Sequence, residues 1–336
     1  MSTSNSSMSG LYLYVFIGLF LILLSCTKVY ALENKAQHDE RLRINFYQSS
    51  CPNAESIARQ TLLSNLLLDP TAPAALLRLV FHDCQVQGCD GSILLQSTSS
   101  ITSELVSERN FGIRRLDFID RIKAALEAAC PNTVSCADII VMAASNSVAI
   151  AGGPNIPIET GRRDTRFSSN LMADKELPSA TISVSDLLQI GGTKGLDTGD
   201  SVAILAGAHT LGVGHCINFA NRLQPQDPSL SPPLAAALNL ICRLPAPATN
   251  LTFAANDLTN LIFDNQYFRD LQGGRGLLTI DSELMKDPRT QGFVNRFAAD
   301  QNFFFQKFSE AFVKLTRSNV LTGTQGEIRN NCKAVN

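Results

Sequence analysis

Arg78, His82, Asp83, Cys84, Cys89, Asp90 and Ser92 crowd into one stretch, LRLVFHDCQVQGCDGSILL, at residues 77–95. A cation, an imidazole, two thiols, two carboxylates and a hydroxyl are framed there by Leu, Val, Phe and Ile. Apolar flanks predict burial, and buried charge is costly unless it is paired or bound to a metal. Arg78 and His82 are four residues apart, so a helix would set both on one face. A second buried imidazole, His209, falls in VAILAGAHTLGVGHC, after an apolar helix at 202–206 and before a glycine-rich turn. The chain has only four histidines; His38 reads as part of a solvated terminus, and His215 follows His209 by six residues. A lone buried histidine is more often ordinary packing than a ligand. An Arg and a His on one face, with a second buried His elsewhere, is a sharper combination.

Three chemistries compete for these residues. His82, Cys84 and Cys89 could hold zinc, although thiols of an exported chain more often pair with each other. A serine hydrolase would need a nucleophile elbow, and no G-x-S-x-G is present. A haem site needs a histidine on one face of the iron and polar groups on the other, which fits.

The elements that must position these groups read as helices. RRLDFIDRIKAALEAAC places Leu116, Ile119, Ile122, Leu126 and Cys130 at spacings of three and four. SCADIIVMAASNSVAIAGG opens on Ser135 with Asp138 three residues on, a capping-box pattern, and closes on Gly152 and Gly153. AESIARQTLLSNLLLD and TAPAALLRLVFHDC also predict helices, the second with Pro73 in its first turn. Phe305, Phe308, Phe312 and Leu315 form a stripe most simply read as core. Alternating strands are scarce, and there is no repeat or low-complexity linker. The expectation is a mainly α enzyme, in one unit or two closely packed lobes.

The bulk numbers agree with an enzyme and exclude some partners. The 336 residues are 45% hydrophobic, enough for a real core. Net charge is −2 with no long basic run, which argues against nucleic acid as the main partner. LYLYVFIGLFLILLSC, at 11–26, is an uninterrupted apolar run, and Val29 and Ala31 suit the −3 and −1 positions of a cleavage site. Residues 1–31 therefore read as a signal peptide rather than a membrane anchor, the run being short against the roughly 20 residues that span a bilayer. Cleavage would remove Lys28 and no acid, leaving 27 basic against 30 acidic residues, net −3. Of nine cysteines, Cys26 leaves with the signal; the other eight, in an oxidising compartment, suggest four disulfides. Asn250-Leu251-Thr252 is a glycosylation sequon.

FYQSSCPNAE, RLVFHDCQVQGCDGSILL, VSCADII, AGGPNIPIETGRRD, LAGAHTLGVGHC, FDNQYF, GLLTIDSEL and LTGTQGEIRNNC follow one another along the chain. In that order and at those spacings they resemble the class III secretory plant haem peroxidases, the horseradish-peroxidase group, over nearly all of residues 32–336. The resemblance implies a mainly α, two-lobed fold with haem b between the lobes. It makes His82 the distal acid–base, Arg78 the stabiliser of charge on the leaving peroxide oxygen, and Asn110 the partner of the His82 ring. It makes His209 the iron ligand, Asp281 the acceptor for its other ring nitrogen, and Phe81 a neighbour of the iron that limits access. Without the resemblance Asp281 reads as a helix N-cap. Pro178 matches the rim where aromatic donors dock.

The resemblance also implies two calcium ions. Asp83, Asp90 and Ser92 with the carbonyls of Val86 and Gly88 match the distal site, and hard oxygens on a tight loop suit calcium. Thr210, Asp264 and the Ile262 carbonyl match the proximal site. NDLT is one residue short there, so Asp257 or Asn256 could take the aspartate's part; Asp257, with Thr259, is the choice. The implied pairings are Cys51–Cys130, Cys84–Cys89, Cys136–Cys332 and Cys216–Cys242. Departures are Gln85 where Phe is usual, Gly91 where Ala is common, Ile156 where Trp is customary, and a shortened SELVSERNFGIRR loop carrying Glu104 and Asn110. The expected protein is a monomeric, extracellular cell-wall enzyme that reduces hydrogen peroxide and oxidises small phenolic donors by one-electron steps. It has no nucleic-acid partner, and no membrane partner after signal cleavage. The alternative is a catalytically silent calcium- and haem-binding wall protein.

Overall fold

The computed structural model describes residues 42–243 and 251–336; the signal-peptide segment, His38 and Asn250 lie outside them. The first two helices are α1 (Ala54–Leu66) and α2 (Ala72–Gln85). Next come α3 (Leu116–Ala129) and α4 (Cys136–Ile150). They are followed by α5 (Asn170–Glu176), α6 (Val184–Thr193) and α7 (Thr198–Leu205). Beyond these lie α8 (Pro232–Ile241), α9 (Gln266–Gln272), α10 (Thr279–Leu284), α11 (Gln291–Ala299) and α12 (Gln301–Thr316). The named strands among the described residues are β1 (Val213–His215) and β2 (Phe253–Ala255), an antiparallel pair. The chain is mainly α, as its periodicity predicts.

Two helices are central. α2 and α4 are buried around most of their circumference and pack against each other. A helix apolar on all sides belongs inside a core. α2 opens with Pro73 in its first turn, where a missing N–H costs nothing. α4 is capped by Ser135, whose Oγ accepts from the Asp138 N–H at 3.1 Å. The expected reciprocal half of that box does not form. Asp138 turns inward to the fully buried Arg162 (2.8 Å) and to the Tyr47 hydroxyl (2.7 Å), because a buried cation needs its charge partner more than the cap needs a second bond.

The aromatic stripe on α12 is displaced by one residue at its start. Phe304, Phe308, Phe312 and Leu315 are buried, whereas Phe305 is half-buried. Spacings of four, four and three keep Phe304 on the same face as the others. The main core joins α1–α4, α6, α7 and α9–α12, and a smaller one gathers Cys216, Phe219, Leu223, Leu238 and Leu277 near the strand pair. All four implied disulfides are present: Cys51–Cys130, Cys84–Cys89, Cys136–Cys332 and Cys216–Cys242. The zinc reading falls with the second of them, since Cys84 and Cys89 have no thiolate left to offer.

Candidate active site

α2 presents Arg78 and His82 one turn apart. The Arg78 Nε donates to His82 Nε2 at 3.1 Å. On the other side of the ring, His82 Nδ1 stands 2.6 Å from Asn110 Oδ1. An amide oxygen can only accept, so the proton sits on Nδ1 and Nε2 keeps a lone pair aimed at Arg78. Asn110 is itself held by its amide, which donates to the Glu104 carbonyl at 2.8 Å. The shortened loop therefore still delivers Asn110 to the ring. The same loop pins Arg78, whose guanidinium reaches the carbonyls of Phe111 (2.9 Å) and Arg109 (3.2 Å).

Electrostatics keep this pair ready for proton work. Burial, and then the Arg78 charge, push the His82 pKa down to about 3, so its neutral, proton-accepting form dominates at ordinary pH. Burial lowers Arg78 to about 10, and the group remains cationic. Phe81 lies edge-on beside the His82 ring, centroids 5.8 Å apart.

His209 lies in the 3₁₀ turn at Gly207–Thr210, against which α2 packs. Its Nδ1–H donates to Asp281 Oδ2 at 2.9 Å, leaving Nε2 free of that bond. Burial alone would lower the His209 pKa, but the charge and hydrogen bond of Asp281 outweigh it and the net shift is upward. Asp281 is not the N-cap that its sequence context suggests; Leu278 holds that position, and the carboxylate turns to the histidine. The His209 side chain is 36% exposed, so the ring is reachable from solvent although Asp281 behind it is buried. A reachable imidazole nitrogen, with its other nitrogen fixed by a carboxylate, fits an iron ligand.

Two residues here had no role assigned from sequence. Tyr267, in the FDNQYF stretch, is fully buried and donates to Asp281 Oδ2 at 2.6 Å. Arg222 is buried beneath α10, binding the carbonyls of Gly276 and Leu277 (2.7 Å each) and the Ser282 hydroxyl (2.9 Å). Arg222 pairs locally with Asp227 at 2.9 Å, but its hold on α10 and the bond from Tyr267 to Asp281 join residues 14 to 60 positions apart, which sequence does not show.

The loop after α2 collects oxygen atoms. Asp83, Asp90 and Ser92 are buried together, and Asp83 Oδ1, Ser92 Oγ and the nearby Glu104 Oε2 have no hydrogen-bond partner. Burial and the neighbouring carboxylates Asp90 and Glu104 push Asp83 well above the usual range; burial lifts Asp90 to about 6 and Glu104 to about 8. Orphaned buried carboxylate oxygens ask for a cation. Among the described residues no three His, Cys, Asp or Glu side chains form a ready metal cluster. A set of two carboxylates, a hydroxyl and the carbonyls of Val86 and Gly88 is the mixed kind that calcium accepts. Gly91 belongs to this loop with φ +71°, and a Cβ there would stand 2.5 Å from the Arg329 guanidinium, so glycine suits this position better than alanine.

A second oxygen cluster lies beside His209. Thr210 Oγ1 donates to Asp257 at 2.8 Å and reaches Asp264 at 3.2 Å, and Thr259 Oγ1 reaches Asp264 at 3.1 Å. Burial raises Asp257 to about 6. Asn256 points elsewhere, donating to the Leu211 carbonyl at 3.0 Å, so Asp257 is the member of the cluster. Ile262 belongs to the same loop, its N–H bound to the Thr259 carbonyl at 2.6 Å. Pro178 follows α5, and two residues on, the Ala180 carbonyl accepts from Ile280 at the start of α10. Gln85 is buried at the end of α2 and donates to the Glu176 carbonyl at 3.1 Å, which gives this polar substitute for Phe its partner.

The peroxidase family model matches residues 58–300. Peroxidase 29 of Arabidopsis thaliana is 47% identical over 306 residues, covering 89% of this chain and 90% of its own length. Peroxidase 57 of the same plant is 47% identical over 302 residues, covering 88% and 93%. Peroxidase 28 is 42% identical over 306 residues, covering 88% and 94%. Two histidines, each fixed by a side-chain oxygen, stand in a chain that those peroxidases match almost end to end; it belongs to the peroxidase family, in the plant class III group that its motifs resemble.

Proposed function

We propose that this peroxidase carries haem b on His209 and attacks hydrogen peroxide with Arg78, His82 and Asn110, then oxidises small phenolic donors. Family membership itself gives a haem cofactor, hydrogen peroxide and a reducing substrate. The observation that supports the residue roles is the bonded chain in which Arg78 and His82 of α2 meet Asn110 from the loop before α3, with α2 packed against the turn where Asp281 holds His209. Bound haem supplies an iron that takes two oxidising equivalents from peroxide and passes them on singly. His82 Nε2 takes a proton from one peroxide oxygen and returns it to the other. Arg78 stabilises the negative charge that develops on the departing oxygen. Asn110 keeps the His82 proton on Nδ1, and Asp281 strengthens His209 as a donor to metal. Phe81 narrows access on the His82 side. Donors dock at the Pro178 rim.

Asp83, Asp90, Ser92 and the carbonyls of Val86 and Gly88 would hold one calcium; Thr210, Asp257, Thr259, Asp264 and the Ile262 carbonyl would hold another. The protein acts as an extracellular monomer. Four disulfides support an oxidising compartment, and among the described residues no helix is long and apolar enough to cross a membrane. The test is an absorption spectrum of the purified protein. A Soret band that changes on adding one equivalent of peroxide, and returns in two steps with a phenol such as guaiacol, is expected. A colourless protein, or one whose oxidised spectrum no phenol reverses, overturns the proposal.

A further inference from the structure

We propose that Tyr267 is a positioning residue of the peroxidase site: its hydroxyl shares Asp281 Oδ2 with His209 and so limits the charge that Asp281 lends to the proximal ring. The inference rests on His209 being the iron ligand. Its basis is that both bonds end on one oxygen atom, His209 Nδ1–H at 2.9 Å and the Tyr267 hydroxyl at 2.6 Å. Asp281 is 2% exposed and Tyr267 fully buried, so water cannot substitute for either partner. The two rings stand edge to face, centroids 5.8 Å apart, which fixes the phenol beside the imidazole it competes with. Tyr267 lies in the first turn of α9, where Asp264 accepts from the Gln266 N–H at 2.8 Å, one residue before it.

A carboxylate oxygen that accepts a short bond from a phenol has less negative charge to offer a second donor. The His209 Nδ1–H bond is weakened accordingly, and Nε2 is a poorer electron donor than a carboxylate engaged only with histidine would make it. Tyr267 thus sets the proximal ligand strength without touching the iron, the substrate or the peroxide.

The experiment compares Tyr267→Phe, Asp281→Asn and the unaltered holoenzyme by the iron–histidine stretching frequency of the ferrous protein and by its ferric/ferrous midpoint potential. Tyr267→Phe should raise the frequency and make the potential more negative, because Asp281 is released to His209 alone. Asp281→Asn should move both in the opposite direction. If Asp281→Asn shifts them and Tyr267→Phe does not, or if the two variants shift the same way, the role of Tyr267 is refuted while the ligand assignment stands. If Asp281→Asn changes neither, the Asp281–His209 assignment fails and the inference falls with it. Should Tyr267→Phe not fold, site-specific replacement by a fluorinated tyrosine keeps the ring and makes the hydroxyl a stronger donor. The frequency must then fall below that of the unaltered enzyme, and an unchanged frequency overturns the proposal.

Discussion

At the scale of single residues, the distal pair makes the sharpest demand. His82 serves both proton transfers, and removing a general acid–base typically slows a step by about 10² to 10⁴-fold. His82→Ala should therefore keep the Soret band and slow the peroxide reaction by that factor in stopped flow; a loss under about tenfold would remove His82 from the role. Arg78→Leu should slow the same step through lost charge stabilisation. The pH dependence has a definite sign. Burial and Arg78 hold His82 down to about 3, so its base form persists as the solution is acidified. The peroxide step should stay level from neutral pH downward and fall only as pH approaches that value; a decline already complete near pH 6 would contradict it. On the other side, His209→Ala should lose stable haem or give a spectrum restored by added imidazole. His215 is the natural control. It ends β1 with its ring edge-on to Phe253, centroids 6.0 Å apart, so His215→Ala should retain the band.

At the scale of elements, the loops flanking α2 matter more than the helix itself. The distal carboxylates are packed together with unpartnered oxygens, a state that a bound cation would relieve. Chelation should therefore loosen the end of α2, lowering the peroxide-step rate while the haem stays bound. Metal analysis should find about two calcium ions per chain, and one zinc with no calcium would overturn the assignment. The Asn110 loop has its own anchor. Arg114 and Arg115 both bind Asp69, at 3.1 and 2.5 Å, in the turn before α2. Burial would raise the Asp69 pKa, but bonds from Thr71 and Arg115 outweigh it and hold it at about 2. A depressed carboxylate stabilises the fold above its unfolded value, and that contribution fades as pH falls toward 2. Both arginines are over a third exposed, so solvent screening keeps the effect small. Asp69→Ala should cost about 1 kcal/mol in a denaturant melt and slow the peroxide step by less than His82→Ala does. A slowing as large would mean that the anchor, not the base, controls the rate.

At the scale of the whole molecule, the cross-links tie distant parts of the chain together. Cys136–Cys332 joins the start of α4 to a point four residues from the last residue, 196 positions apart. Closing so long a loop removes unfolded-state entropy worth about 5 kcal/mol, whereas the short Cys84–Cys89 loop removes only about 2 kcal/mol. The double variant Cys136→Ala/Cys332→Ala should lower unfolding stability by about that amount with the Soret band retained at low temperature. A loss under about 1 kcal/mol would indicate that the packing of α12 holds the C-terminal region without help.

Much of this was legible in the chain alone, for a physical reason: the relations involved are local. A four-residue spacing puts Arg78 and His82 on one face of any helix, apolar flanks bury His82 and half-bury Arg78, and the ordered motifs carry the family. Tertiary structure decided what depends on residues far apart in sequence. It turned Asp281 from a helix cap into the partner of His209, 72 positions away, and brought Tyr267 to the same oxygen. It sent the Asp138 carboxylate to Arg162 instead of completing its cap, and set Asp257 against Thr210 while Asn256 turned to the Leu211 carbonyl. A carboxylate can cap, bind a cation or orient an imidazole; its sequence neighbours fix none of these, because what it meets is set by how the helices pack.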